Sequence, residues 1–327
     1  MSACPICQST HTHIEIKNGF DDRHGYVGYF SILRCKICEH QFLDQAFSDQ
    51  EILNQYRIFY PRSQLDLNQI RPLKIDFGWK GWLRGDQASA AAWAKENSKV
   101  LDVGCGFGES LLYLQDLGCE TFGIDADDNI LRVASKFHLN AKTGLLSRDS
   151  FPHQQFDMIL LNQVVEHVSH LDSFFETLTS YLKQDGKIVF TTPNAFSFFR
   201  RVFGRRWIHW HIPYHLHFFS QKSFQMILKR HGLEIQKIAY VTPSDWLLFQ
   251  WLHLFSRIKP GLPTDIWNHG RGHGLWWVLN TALKIFHRLR INHLLVRLLD
   301  SLGLGDNQIV IVQLSKNQRA LRQGQKA

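Results

Sequence analysis

From Lys99 onward the chain alternates short apolar runs with stretches of helical periodicity. Val100, Leu101 and Val103 form a run that stops at Gly104, Gly106 and Gly108, and Ser110 to Leu117 resumes at helical spacing. This predicts a buried strand, a tight glycine turn and a helix. Phe122 to Ile124 is the next strand, ending in Asp125. Asn129 to Phe137 follows as a helix with Ile130, Leu131, Val133, Ala134 and Phe137 on its buried side. Ala141 to Leu146 is a weak strand and Phe156 to Leu161 a strong one. Phe174, Phe175, Leu178 and Leu182 mark a helix, which Lys183 to Gly186 turns into a strand over Lys187 to Thr192. Ser220 to Arg230 reads as a helix, with strands at Glu234 to Val241 and Asn307 to Leu314. Strands and helices in alternation predict a parallel α/β sheet wound on both faces, with ligands at the carboxyl ends of its strands.

Ahead of this region, Gln41 to Tyr60 predicts a short helix with Ser48 and Glu51 as a capping box, stopped by Pro61. Tyr56, Phe59 and Tyr60 are candidates for a substrate entrance or for core. Arg62 to Gly85 reads as a linker with little regular structure, and Ala88 to Lys95 as an alanine-rich helix.

The glycine turn carries the first chemical signal. Glycines let a ligand approach the backbone, the helix beyond offers free N–H groups, and the carboxylate of Asp125 is placed for both hydroxyls of a ribose. A dinucleotide fingerprint is GxGxxG; Gly104 to Gly108 is GxGxG, with Asp102 inside the strand. Asp102 through Gly108 resembles motif I of the class I S-adenosylmethionine (SAM) methyltransferases, and Asp125 falls on that family's ribose-binding acid. The resemblance covers Lys99 to Val241 and the final strand. It implies SAM held by Asp102, Gly104, Cys105, Gly106 and Gly108 at the turn, with Asp125 and Ala126 at the ribose. Leu145 or Gly144 would lie over the adenine, and Asn162 and Gln163 would face the sulfonium. It also implies a Rossmann-like, doubly wound sheet whose last two strands form an antiparallel edge hairpin, making Thr242 to Asp306 a helical insertion.

Of six cysteines, Cys4, Cys7, Cys35 and Cys38 form two CxxC pairs 27 residues apart (8 to 34). Two such knuckles predict a structural four-thiolate zinc site rather than disulfides. Ile14, Ile16, Tyr26, Val27, Tyr29, Ile32 and Leu33 then supply the strands of a zinc ribbon. The domains expected are the ribbon (1–45), a helical linker region (46–97), the methyltransferase domain (98–316, insertion 242–306) and a polar tail (317–327). Across 327 residues, 44% hydrophobic and 20% charged residues suit a globular protein, and no apolar run reaches a membrane span. These features, with no signal-peptide core, place the chain in the cytoplasm; its net charge of +8 favours acidic partners.

Asn162 to Val168 continues directly from a strand, and its Glu166-His167-Val168 triplet resembles the segment found in methylases of polyprenyl quinones. In some of those enzymes acids and a histidine there hold a divalent cation, but Gln163 stands where the pattern has an acid. His167 is the first candidate for a catalytic base. His215 is the second, because a W…P…H.HFFS segment places a histidine at the acceptor pocket of similar enzymes; Trp210 and Tyr214 would be pocket walls. His209, His211, His215, His217 and His231 suit either an aromatic loop or a metal cage, and Arg200, Arg201, Arg205 and Arg206 a phosphate or carboxylate clamp, a contact with anionic headgroups, or a solvated loop.

The layout also resembles that of sugar methyltransferases with zinc-binding N-termini. The expected activity is therefore SAM-dependent methylation of a small-molecule hydroxyl on a sugar, a glycolipid or a quinone-like lipid. The alternatives are an RNA or protein methyltransferase docking through the ribbon, or a SAM-binding scaffold without turnover. Nucleic acid is disfavoured because the basic residues lack interleaved stacking aromatics. Trp246 to Phe255 and Leu275 to Leu302 mix Trp and Leu with Lys284, Arg288, Arg290 and Arg297. Such helices fit a lid, a homodimer face or peripheral contact with the inner face of a membrane.

Overall fold

The computed structural model describes residues 2–59, 65–264 and 275–324. Tyr60 and Pro61 lie outside the described residues, as do the side chains of Trp276, Trp277 and Leu279. The strands in chain order are β1 (Thr12–Gly19), β2 (Phe30–Cys35), β3 (Gln41–Leu43), β4 (Lys99–Val103), β5 (Glu120–Asp125), β6 (Ala141–Thr143), β7 (Phe156–Asn162), β8 (Leu182–Pro193), β9 (His217–Phe218), β10 (Leu233–Tyr240) and β11 (Asn307–Leu314). They form a seven-stranded sheet, β10-β11-β8-β7-β4-β5-β6, and a four-stranded one, β1-β2-β3-β9.

In the large sheet β4 pairs in parallel with β5 and β7, and β7 with β8, whereas β11 runs antiparallel to both β8 and β10. The expected edge hairpin is therefore present, with β11 inserted between β8 and β10. Both faces of the sheet are covered, which is why its strands are continuous apolar runs. Leu101, Ile159, Leu161, Ile188 and Phe190 pack on one face, and Val100, Leu160 and Val189 on the other. The sheet accordingly presents the carboxyl ends of β4, β5 and β7 along one edge.

Helices at Asn129–Phe137 and Leu171–Tyr181 match the periodicity, and Gln221–Arg230 starts at Ser220 with a reciprocal capping box. Glu51 and Ser48 likewise cap the helix Asp49–Phe59. Four expectations are corrected. Leu131 is exposed, because the helix turns only Ile130 and Val133 fully inward. Lys183 to Gly186 is not a turn but part of β8, where Lys183 pairs with Asp157 at 2.9 Å and Gly186 lets the chain pass close to the Phe156 carbonyl. Ala88 to Lys95 is not one helix: a 3₁₀ turn over Asp86–Ala88 and a second over Ala90–Trp93 are separated by extended Ser89, and Ala90 N–H donates to Asn162 Oδ1 at 3.2 Å. The linker contains a helix, Trp79–Arg84, ended by Gly85 in the left-handed region.

The N-terminal sheet is not isolated from the large domain. β3 pairs with β9, Gln41 opposite Phe218 and Phe42 opposite His217. Ser220 Oγ donates to the Cys38 carbonyl at 2.7 Å, and Arg230 bonds the Ile6 carbonyl. Tyr26, Val27 and Tyr29 fall in the loop between β1 and β2, with Val27 and Tyr29 exposed. The insertion holds helices Ser244–Leu254, Leu275–Arg288 and Ile291–Ser301. None of the helices among the described residues is long and apolar enough to cross a membrane.

Candidate functional site

A cleft of about 840 Å³ lies at the carboxyl ends of β4, β5 and β7. Its walls include Gly104, Asp125, Ala126, Leu145, Asn162 and Gln163, with His167 at the same opening. The turn after β4 needs its glycines: Gly104 has φ +73, and a Cβ there would come within 2.5 Å of Val164 Cγ2. Gly106 has φ +58 and faces open space, leaving backbone accessible to a ligand. Asp125 closes the turn from the neighbouring strand, its Oδ2 accepting from Gly106 N–H at 2.7 Å and its Oδ1 from Asp127 N–H at 2.9 Å. This aspartate thus holds the loop and sits in the cleft at once.

The buried Asp102, Cys105 and Gly108 do not line the cleft; they shape the turn from behind it. Asp102 is buried and bonds the Ser110 hydroxyl; burial pushes its carboxyl up to about 7. Gly108, at φ +75, packs against Leu139. Leu145 is half-exposed on the cleft wall beyond β6. Asn162 Oδ1 accepts from Thr191 Oγ1 at 2.8 Å.

At the end of β7 the chain makes a 3₁₀ turn over Val165–His167. Tyr56 Oη lies 2.8 Å from His167 Nδ1, and the Tyr214 carbonyl oxygen lies 2.8 Å from the same nitrogen. The helix Asp49–Phe59 therefore forms a wall of the cleft through Asp49, Ile52 and Tyr56. Of the entrance aromatics, Tyr56 takes this position, whereas Phe59 packs on Tyr26 at 5.1 Å between ring centres.

His215 does not reach the cleft. It is buried behind His167, with ring centres 4.6 Å apart, and its Nδ1 lies 2.8 Å from the His209 carbonyl. Glu166, His167 and His215 nevertheless offer ligand atoms within 4.8 Å of one another. Glu166 is fully buried, burial pushes its carboxyl up to about 8, and its Oε2 has no hydrogen-bond partner among the described residues. With its amide turned nitrogen toward Glu166, Gln163 donates to Oε1 at 3.3 Å and accepts from Thr192 N–H at 3.2 Å. A carboxylate with an orphaned oxygen beside two imidazoles fits a divalent cation.

The remaining histidines are spread apart: His217 Nδ1 meets His40 Nε2 at 3.1 Å and His231 meets Asp172 at 2.8 Å. Three of the four arginines are committed within the protein rather than to a clamp. Arg200 bonds Glu15 and Gln41, Arg205 donates to the Lys17 carbonyl at 2.6 Å, and Arg206 donates to the His253 carbonyl at 2.7 Å. Trp210 and Tyr214 are buried in the loop rather than on the cleft.

The four N-terminal thiols lie within 4.8 Å of one another, with Cys4–Cys38 and Cys7–Cys35 sulfurs each 3.5 Å apart. A sulfur tetrahedron around zinc, with bonds of about 2.3 Å, has edges of about 3.8 Å. The cluster fits a closed structural zinc site, with no position left for chemistry.

A family model described as a methyltransferase domain matches residues 84–238. The ubiquinone biosynthesis O-methyltransferase of Pelagibacter ubique is 28% identical over 186 residues, covering 53% of this chain and 76% of that protein. The protein of the same name from Rhodopseudomonas palustris (strain TIE-1) is 26% identical over 208 residues, 61% of this chain and 81% of its own. Among solved structures, the [4+2]-cyclase SpnF aligns with a TM-score of 0.49 at 17% identity, over 83% of this chain and 97% of that one. Residues 84–238 of this chain thus carry a methyltransferase domain, in which the glycine turn after β4 faces Asp125 across the seven-stranded sheet.

Proposed function

We propose that the protein methylates a hydroxyl oxygen of a quinone-like phenolic acceptor, with His167 taking the proton. The observation carrying this reading is that a single cleft holds Gly104 and Asp125 at one end and His167 at the other. The similar proteins named above act in ubiquinone biosynthesis, and Ile52, Leu145, Leu146 and Phe174 give the cleft apolar walls suited to a ring. Hydroxyls of sugars and glycolipids are the rival acceptors.

When bound, SAM supplies an electrophilic methyl group on its sulfonium. The glycine turn, braced by Asp102, Cys105, Gly106 and Gly108, receives the methionine end. Asp125 accepts the ribose hydroxyls beside Ala126, Leu145 covers the adenine, and Asn162 and Gln163 border the reacting end. Positioning supplies most of the rate, because aligned reactants need no further ordering. His167 adds general-base catalysis at the acceptor oxygen. Its Nδ1, near the Tyr214 carbonyl, keeps the proton, which leaves Nε2 to accept one. If Glu166, His167 and His215 held a divalent cation, His167 would serve as its ligand instead of as the base, and the cation would supply Lewis-acid chemistry.

The test is methyl transfer from labelled SAM to a panel of phenolic quinone precursors and sugars, run beside two variants. Asp125→Ala should raise the SAM Kd by roughly 10–100-fold, the loss of charge-assisted hydrogen bonds. His167→Ala should leave that Kd nearly unchanged and lower turnover on the phenols. Equal losses of SAM affinity in both variants, or label on sugars alone, would overturn the reading.

A further inference from the structure

The insertion leaves the large sheet after β10 and returns at β11, whose first residue, Asn307, pairs with Pro193 at the carboxyl end of β8. It therefore emerges at the edge of the sheet where the cleft opens. Its last helix, Ile291–Ser301, is divided by face. Asn292, His293, Val296, Arg297 and Leu299 are buried, while Leu294, Leu298 and Leu302, four residues apart, are 60%, 57% and 62% exposed.

The exposed surface continues onto neighbouring elements. Arg297 donates to the Trp82 carbonyl at 3.1 Å, which fixes the helix Trp79–Arg84 against this one. Trp79 is 63% exposed, with the Arg290 guanidinium 5.2 Å and the Lys80 ammonium 5.7 Å from its ring centre. Leu289 and, on the helix Leu275–Arg288, Ile285 and Phe286 are also exposed. A monomer rarely leaves so many large apolar side chains together in water.

Charge selects the occupant. The acids near this surface are committed internally: Asp76 and Asp86 to Arg84, Asp245 to His287, and Asp300 to Arg297. Lys80, Lys284, Arg288 and Arg290 are exposed and have no carboxylate in ion-pair reach among the described residues. In a two-fold dimer through this face, each basic group would meet the same basic surface of the other copy, with no acid to answer it. Leucines and a cation-flanked tryptophan with unanswered positive charge match the depth profile of a lipid interface, acyl chains beneath anionic headgroups.

We propose that this face, built from the helices Trp79–Arg84, Leu275–Arg288 and Ile291–Ser301, docks the protein on an anionic phospholipid surface with the cleft end of the sheet toward the bilayer. The proposal does not rest on the acceptor assigned above, and its test reads no turnover.

The zinc-loaded 327-residue chain is sedimented with vesicles of phosphatidylglycerol and phosphatidylcholine, and with phosphatidylcholine alone. It should bind the first and not the second. Leu294→Ser with Leu298→Ser should lower the partition coefficient by about tenfold, as should Lys284→Glu with Arg288→Glu. Hydrogen exchange on the unmodified protein should show backbone protection over 289–302 only with anionic vesicles, a readout that needs no variant to fold. Absence of binding to anionic vesicles, binding unchanged in both double variants, or a dimer in light scattering that the leucine changes dissociate would overturn the proposal.

Discussion

Tyr56 reaches across the cleft to place its hydroxyl 2.8 Å from Nδ1 of His167, a residue 111 positions later in the chain. The helix carrying Tyr56 thereby fixes the orientation of the imidazole from the side opposite the sheet. With the Nδ1 proton directed at the Tyr214 carbonyl, the two contacts hold one tautomer and one ring plane.

Tyr56→Phe removes one of these contacts and keeps the ring. The expected result is a kcat lower by about three- to tenfold, worth about 1 kcal/mol, with SAM affinity unchanged. The pH–rate profile should move as well, because the basicity of His167 depends on what its other nitrogen bonds. An unshifted profile with wild-type kcat would make Tyr56 a wall residue only.

Zinc removal tests a coupling that the strand pairing creates. β9 is held by β3, and Ser220 beside it by the carbonyl of Cys38, itself one of the four thiol residues. Structural zinc in small domains supplies a large part of the folding free energy. Chelation, or Cys35→Ser, should therefore loosen the segment 211–220 and the Tyr214 carbonyl with it. Turnover should fall by about tenfold or more while calorimetry finds SAM affinity within about threefold. Full activity in zinc-free protein would break the coupling.

What the sequence made legible was local. Strand β4, its glycine turn and Asp125 lie within 27 residues, and their spacing and apolar runs follow directly from backbone geometry. The four cysteines were legible because a metal demands a fixed ligand count. What it did not reveal depends on partners distant in sequence. Arg200 looks like an anion clamp by composition, yet its partners Glu15 and Gln41 lie 185 and 159 residues away. Likewise β9 has two residues, too few for any period-two pattern, and takes its conformation from β3. Tyr56 belongs to the same class: helical spacing marks it as apolar-facing without saying that the face is a cleft.

The buried titratable groups set opposite slopes of stability against pH. Burial holds His24 and His217 down to about 4, and His40, His209, His211 and His215 well below the ordinary histidine value. Below pH about 6.5 the unfolded chain binds protons on these six that the folded chain refuses, so stability falls as the medium becomes more acidic. Asp102 and Asp306 are raised to about 7 and Glu166 to about 8, chiefly by burial. Between about pH 4 and these values the folded chain keeps protons that the unfolded chain has lost, so these three lower stability as pH rises. Where the ranges overlap, six histidines outweigh three acids. Above pH 6.5 the histidines no longer act, and the acids are opposed by the four zinc-binding thiols, which are ionised in the folded chain and protonated in the unfolded one up to pH about 8.5. The melting temperature should therefore fall steeply from pH 6.5 toward pH 5. Asp306 accepts from Trp207 Nε1 at 3.1 Å and lies 4.0 Å from His209, a contact that suits two neutral groups. Asp306→Asn keeps the acceptor and removes the titration. Without the opposing contribution of this acid, stability between pH 5 and 7 should climb with pH more steeply, by up to roughly 1.4 kcal/mol per pH unit. Thermal melts at half-unit steps from pH 5 to 9 read both quantities; a flat profile, or an Asp306→Asn variant with the parent's slope, would show that these groups are not buried as the fold places them.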